Sequence, residues 1–165
     1  MKQEERILFN RCMDVIFRNE GGYVNHKDDP GGETNFGICK RYFPHEDIKN
    51  LTKTKAKEIY LKHYWKPMNL FGIYDPEAVL QIFDFGINAG TKRAIRAAQQ
   101  IVGVIIDGIC GEKTKDAIND YEYDFVKDYK HSRRVYYECL ADSKPKLQVF
   151  LKGWLNRVNN TKFDE

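Results

Sequence analysis

The sequence predicts one mainly helical α+β domain, on three observations. Apolar residues recur at helical spacing through most of the chain. One short span, residues 21–40, breaks that texture with turn-formers flanked by β-prone residues. No Ser/Gly-rich linker and no repeat of fixed period divides the 165 residues. Long helices around one small β element make a single α+β domain over residues 1–165.

The first helix is predicted over residues 4–20, where Leu8, Cys12, Val15 and Ile16 form a stripe at i, i+4, i+7 and i+8. Gly21-Gly22 ends it, because paired glycines favour non-helical dihedrals. Asn25, Asp28, Asp29, Pro30, Gly31, Gly32 and Asn35 then crowd between Tyr23, Val24, Phe36 and Ile38, the pattern of a small twisted hairpin or ribbon. A lysine-rich helix follows over residues 52–64. Asp75-Pro76 is a strong helix start, with Asp as N-cap and Pro in the first position. Val79, Leu80, Ile82, Phe83, Gly86 and Ile87 form its buried face, and it ends near Gly90. Thr91 is the expected cap of the next helix, whose stripe is Ala94, Ile95, Ala97, Ala98, Ile101 and Val102. Asp107-Gly108 marks a turn. From Glu112 a long helical region is expected to run to a break at residues 143–145. Leu147, Phe150, Leu151, Trp154, Leu155 and Val158 then pattern the last helix.

Composition excludes several classes. Twenty-seven Lys+Arg against twenty-four Asp+Glu leave a charge of +3, too mild for a nucleic-acid binder. No apolar run approaches the roughly 20 residues of a membrane span. The charged start Met1-Lys2-Gln3-Glu4-Glu5-Arg6 lacks the apolar region of a secretory signal, so a cytoplasmic origin is expected. Cys12, Cys39, Cys110 and Cys139 contain no C-x-x-C pair and read as free thiols. His26, His45, His63 and His131 show no zinc-type spacing, so no metal site is expected. No organic cofactor is implied, and neither a Cys–His–Asn nor a zinc arrangement supports a protease or amidase.

The informative segment is Asn19-Glu20-Gly21-Gly22-Tyr23, then Asp29-Pro30-Gly31-Gly32-Glu33-Thr34-Asn35-Phe36-Gly37. A Glu at the end of an apolar-faced helix is partly desolvated, which favours the protonated form a general acid needs. Asp29 lies nine residues on. That stretch reaches about 30 Å when extended, so bringing the carboxylates within about 10 Å requires the hairpin. Thr34 supplies a hydroxyl able to hold a water beside Asp29. One acid in an apolar setting and one in a polar loop is the asymmetry of glycoside hydrolysis. The plainer reading is a solvated helix end and a turn aspartate.

These residues resemble the signature of the glycoside hydrolase family 108 muramidases, phage endolysins and related bacterial enzymes that cut peptidoglycan. A second block agrees: Phe85-Gly86-Ile87-Asn88-Ala89-Gly90, Arg93-Ala94, Gln99-Gln100 and Asp107-Gly108-Ile109-Cys110-Gly111-Glu112-Lys113-Thr114. It is similar to the peptidoglycan-binding region that accompanies this family, giving a catalytic part over residues 8–92 and a C-terminal part over 93–160. The resemblance implies a lysozyme-like fold whose cleft lies between the β element and the helices. It places the catalytic Glu on Glu20 and the second carboxylate on Asp29, with Asp28 as its neighbour and competitor. The wider phage pattern is Glu, eight residues, Asp, five residues, Thr. Here four residues separate Asp29 from Thr34, and Asn35 occupies the expected slot.

Tyr23, Asn35 and Asn88 are the expected substrate-binding residues. Tyr42, Phe43, Tyr64 and Trp65 also lie in segments that can face a glycan, and Asp84 with Asn88 braces the cleft or the fold. The resemblance implies hydrolysis of the β-1,4 bond between N-acetylmuramic acid and N-acetylglucosamine, by a monomer whose partner is the glycan strand. Such an enzyme would reach the wall or periplasm from the cytoplasm through a holin or a secretion system. Two rival readings are a bacterial wall-remodelling enzyme and a noncatalytic wall-binding protein of the same fold.

Overall fold

The computed structural model describes residues 1–20, 22–25 and 32–164. Helix α1 (Gln3–Asn19) precedes an antiparallel ribbon of β1 (Thr34–Asn35) and β2 (Ile38–Cys39), with Thr34 opposite Cys39 and Asn35 opposite Ile38. Val24 bridges to Thr34, which extends the ribbon towards α1. Helix α2 (Lys53–Tyr60) continues through a π-helical turn, Leu61–Trp65, into the short α3 (Lys66–Met68). Then come α4 (Pro76–Ala89), α5 (Thr91–Val102), α6 (Glu112–Asn119), α7 (Phe125–Ser143) and α8 (Gln148–Asn160). The fold is therefore mainly helical α+β with one small ribbon, as the sequence indicates.

Helix α4 is the axis of the core. Every residue from Ala78 to Gly86 is buried, which only a helix enclosed on all sides requires. Helices α5, α7 and α1 and the π-turn pack around it. Phe9, Trp65 and Phe83 meet edge to face on one side, and Phe85 meets Tyr129, Tyr136 and Tyr137 on another. Ala94, Ile95 and Ala98 of α5 are buried in the same core, while Ile101 and Val102 are half-buried at its edge.

The predicted cap forms at α4, and α2 has a cap of its own. Asp75 accepts from the Glu77 N–H at 2.8 Å, and Thr52 accepts from the Lys55 N–H at 3.2 Å. Two expectations need correction. Thr91 is not a cap: Gly90 holds the N-cap position at φ +100°, and Thr91 is already inside α5. The long helix expected from Glu112 is two helices. Asp124 caps a fresh start by accepting from Lys127 N–H at 2.9 Å, and the Tyr121 hydroxyl donates to Asp128 at 2.8 Å across the break. Helical periodicity alone carries through such a break unseen, because apolar residues continue on both sides of it.

Candidate active site

Glu20 follows the last residue of α1, in extended geometry (φ −93°, ψ 141°), and its N–H closes the final turn on Ile16 O at 3.1 Å. The carboxylate therefore projects past the helix end. Arg157 of α8 donates from Nη1 to Glu20 Oε1 at 2.7 Å, and the Glu20 side chain keeps only 18% of its surface exposed. The same guanidinium donates through Nε and Nη2 to Asp84 Oδ1 at 3.0 and 2.8 Å. Asp84, on α4, has no exposed surface, and its Oδ2 accepts from Arg133 of α7. Arg133 in turn donates to Gln81 Oε1. A buried carboxylate is tolerated only when paired and hydrogen-bonded, and Asp84 is held by two guanidiniums.

The turn of the ribbon faces Glu20 from the other side. Phe36 and Gly37 form its two-residue loop with φ +50° and +74°, the signature of a type I′ hairpin turn. Phe36, which carries a Cβ, pays about 1 kcal/mol for this conformation. It is held by the Tyr60 hydroxyl, which donates to Phe36 O at 2.9 Å, and by its ring against Phe17 at 5.5 Å. At Gly37 a Cβ would fall 2.8 Å from Glu20 Oε2 and 2.6 Å from the Tyr60 hydroxyl. Only glycine lets the backbone come this close. Gly37→Ala is expected to lower turnover roughly 10- to 100-fold by displacing the Glu20 carboxylate. Steady-state kinetics beside a thermal melt tests this, and unchanged turnover in a folded variant would show that Glu20 tolerates the shift.

The electrostatics follow from burial and pairing. Burial pushes the Tyr60 phenol well up, and the Glu20 charge adds to this, so it stays a neutral donor. Burial alone would raise the Asp84 carboxyl, but Arg157 and Arg133 outweigh it and hold it below the usual carboxylate range. A carboxyl lowered by folding stabilises the fold above its unfolded value of about 4 and loses that stabilisation as pH falls through its folded value. The urea midpoint is therefore expected to drop below about pH 4, and Asp84→Asn should remove part of that dependence. An identical acid profile in the variant would place the acid sensitivity elsewhere.

The expected apolar setting of Glu20 is thus corrected: one side of the carboxyl meets a guanidinium. Of the other residues picked out in the sequence, Asp29 and its neighbour Asp28 lie outside the described residues. Thr34 is half-buried in β1, with its N–H and carbonyl both paired to Val24 at 2.9 and 2.8 Å. Asn35 is buried and donates its amide to Ile48 O at 3.0 Å, tying the ribbon to the loop before α2. Tyr23 is exposed and donates its hydroxyl to Glu33 at 2.9 Å. Asn88 donates to Asp84 O at 2.8 Å, one turn along α4.

Sequence reasoning missed Arg157, Arg133 and Tyr60. The signal for Arg133 was its place, at four-residue spacing, in a stripe with Phe125, Tyr129, Tyr137 and Ala141, all buried. A cation in such a stripe needs a buried anion, and Asp84 in the apolar run of α4 is its complement.

The comparisons with known proteins agree with this fold. The family model described as Glycosyl hydrolase 108 matches residues 13–90, and that of a Predicted Peptidoglycan domain matches residues 93–159. A search of curated proteins gave no match. Eleven chains of solved structures match. One, reported as the structure of Brucella abortus SagA, is 33% identical with a TM-score of 0.76, over 94% of this chain and 92% of that one. Fold and sequence together define a glycoside hydrolase that acts on peptidoglycan. The chain belongs to the Glycosyl hydrolase 108 family.

Proposed function

We propose that the protein is an endolysin-type muramidase that hydrolyses the β-1,4 bond between N-acetylmuramic acid and N-acetylglucosamine. The observation that carries this reading is the Glu20 carboxyl, fixed by Arg157 on one oxygen and set against the bare backbone of Gly37 on the other. Glu20 donates its proton to the departing glycosidic oxygen as the bond to the anomeric carbon breaks. Arg157 then partners the carboxylate left behind. Asp29 either steadies the oxocarbenium-like sugar or directs water to its far face, and Thr34 orients that water in the second route. The enzyme works as a monomer and reaches the wall from the cytoplasm through a holin.

The test is digestion of purified peptidoglycan with mass spectrometry of the fragments. Muramic-acid reducing ends support the proposed bond; glucosamine reducing ends would assign the other glycosidic bond, and no release would favour a noncatalytic wall-binding protein. A second reading is wall remodelling by a bacterium using a secretion system; the relative from Brucella abortus favours its bacterial setting. Holin genes beside the coding sequence would decide for lysis, and secretion genes for remodelling.

A further inference from the structure

Of the aromatic residues picked out in the sequence, Trp65 is core, but Tyr42, Phe43 and Tyr64 wall a single groove. It has a volume of about 510 Å³, and His45, His63 and Thr91 also line it. The groove is linked to the candidate active site through β2 and through Tyr60. The chain enters it directly from β2, with the Tyr42 and Phe43 N–H groups donating to Cys39 O at 3.2 and 3.1 Å. The Tyr64 ring packs on Tyr60 at 5.6 Å, and Tyr60 is the residue whose hydroxyl lies beside Gly37 and Glu20.

Two further features mark the groove as built for a ligand. His63 and Tyr64 stand in the π-helical turn Leu61–Trp65, an interruption of helical hydrogen bonding that recurs at functional sites. His63 meets the Phe43 ring edge to face at 5.3 Å, which fixes both. Tyr42 is 74% exposed, so its ring contributes little to the core. Among the described residues the lining contains no Lys or Arg, and it includes the Glu46 carboxylate. That suits a neutral ligand better than the carboxylate-bearing stem peptides of the wall. A pyranose has an apolar C–H face and a polar rim, which aromatic rings beside imidazoles and a hydroxyl complement.

We propose that this groove is a saccharide subsite, which seats a neutral N-acetylhexosamine of the glycan strand close to the scissile bond. The sugar lies with its apolar face towards Tyr42 and Phe43 and its polar rim towards His45, His63 and Thr91. The inference rests on the muramidase reading above.

The test measures binding of soluble, peptide-stripped glycan strands by calorimetry at neutral pH, in the full chain carrying Glu20→Gln so that strands stay intact. Adding Tyr42→Ala is expected to weaken binding about tenfold, and Tyr42→Trp to retain it. Because Tyr42 is largely exposed, both variants should melt as the parent does. Equal affinity with and without the Tyr42 ring overturns the subsite. So does no binding of stripped strands, or a Tyr42 effect seen only with strands that keep their stem peptides. Digestion by the otherwise unaltered protein is read separately. Digestion with no Tyr42 effect ends the subsite and leaves the muramidase standing; Tyr42-dependent strand binding without digestion ends the muramidase and keeps the groove.

Discussion

Glu20→Gln is expected to lower the rate of peptidoglycan cleavage by about 10² to 10⁴, the range that a positioned general acid contributes. The substitution keeps the shape of the side chain and an oxygen for Arg157 Nη1, which now sits 2.7 Å from Glu20 Oε1. It removes the one thing the proposed reaction needs from that position, a proton given up as the glycosidic bond breaks. Folding should survive, because the backbone N–H of residue 20 still closes α1 on Ile16 O. Reducing-end release, with circular dichroism as the control for folding, gives the result. Equal release by both proteins would remove Glu20 from the chemistry and send the search to the other carboxylates. A Glu20→Asp variant adds a distance test: it keeps the acid but withdraws it by one methylene, so its activity should fall too.

The largest effect on stability is expected at Asp84. Asp84→Ala leaves Arg133, which has no exposed surface, without its counter-charge. Removing one member of a buried ion pair costs about 3–5 kcal/mol, because the remaining charge stays desolvated. A domain of this size is stable by about 5–15 kcal/mol, so the variant sits near the edge of folding. The Arg133 Nε already lacks a hydrogen-bond partner among the described residues, so little is left to compensate. Urea unfolding should show a lower midpoint with an unchanged slope. A loss below about 1 kcal/mol would mean that water or rearrangement satisfies Arg133, contrary to the packing seen around it. Asp84 also anchors Arg157, so the folded fraction should cleave more slowly than the parent, even per active molecule. The Glu20 carboxyl and the buried Asp84 are thus linked through one guanidinium.

Much of the fold was legible in the sequence, for local reasons. Asp75-Pro76 and Thr52 announce helix starts because capping is decided within four residues. The presence of a ribbon was legible from the turn-formers near it, but its tight turn was not, because Phe36, read as a β-prone flank, sits in that turn at φ +50° beside Gly37. The break at residues 120–124 was not, since apolar spacing continues across it and the cap at Asp124 is only one polar residue among many. Glu20 stood out through the Glu-Gly-Gly pattern and a family resemblance. Its partners did not, because Arg157 lies 137 residues from Glu20, and Asp84, which holds Arg157, lies 73 residues from that arginine. Asn35 shows the converse: its place in the motif suggested substrate, yet its amide hydrogen-bonds a backbone carbonyl thirteen residues on.

Most of the helices, the presence of a ribbon, the family resemblance and the carboxyl at the end of α1 were legible in the chain alone. Each is written in neighbouring residues, through periodicity, capping and turn chemistry whose range is a few positions. What surrounds that carboxyl is set only in the folded chain. The convergence of α1, the ribbon turn, α2, α4 and α8 sets a guanidinium on one carboxyl oxygen and a bare glycine backbone beside the other. Electrostatics and close packing depend on distance in space, and helices far apart in the chain supply that distance only after the core around α4 has formed.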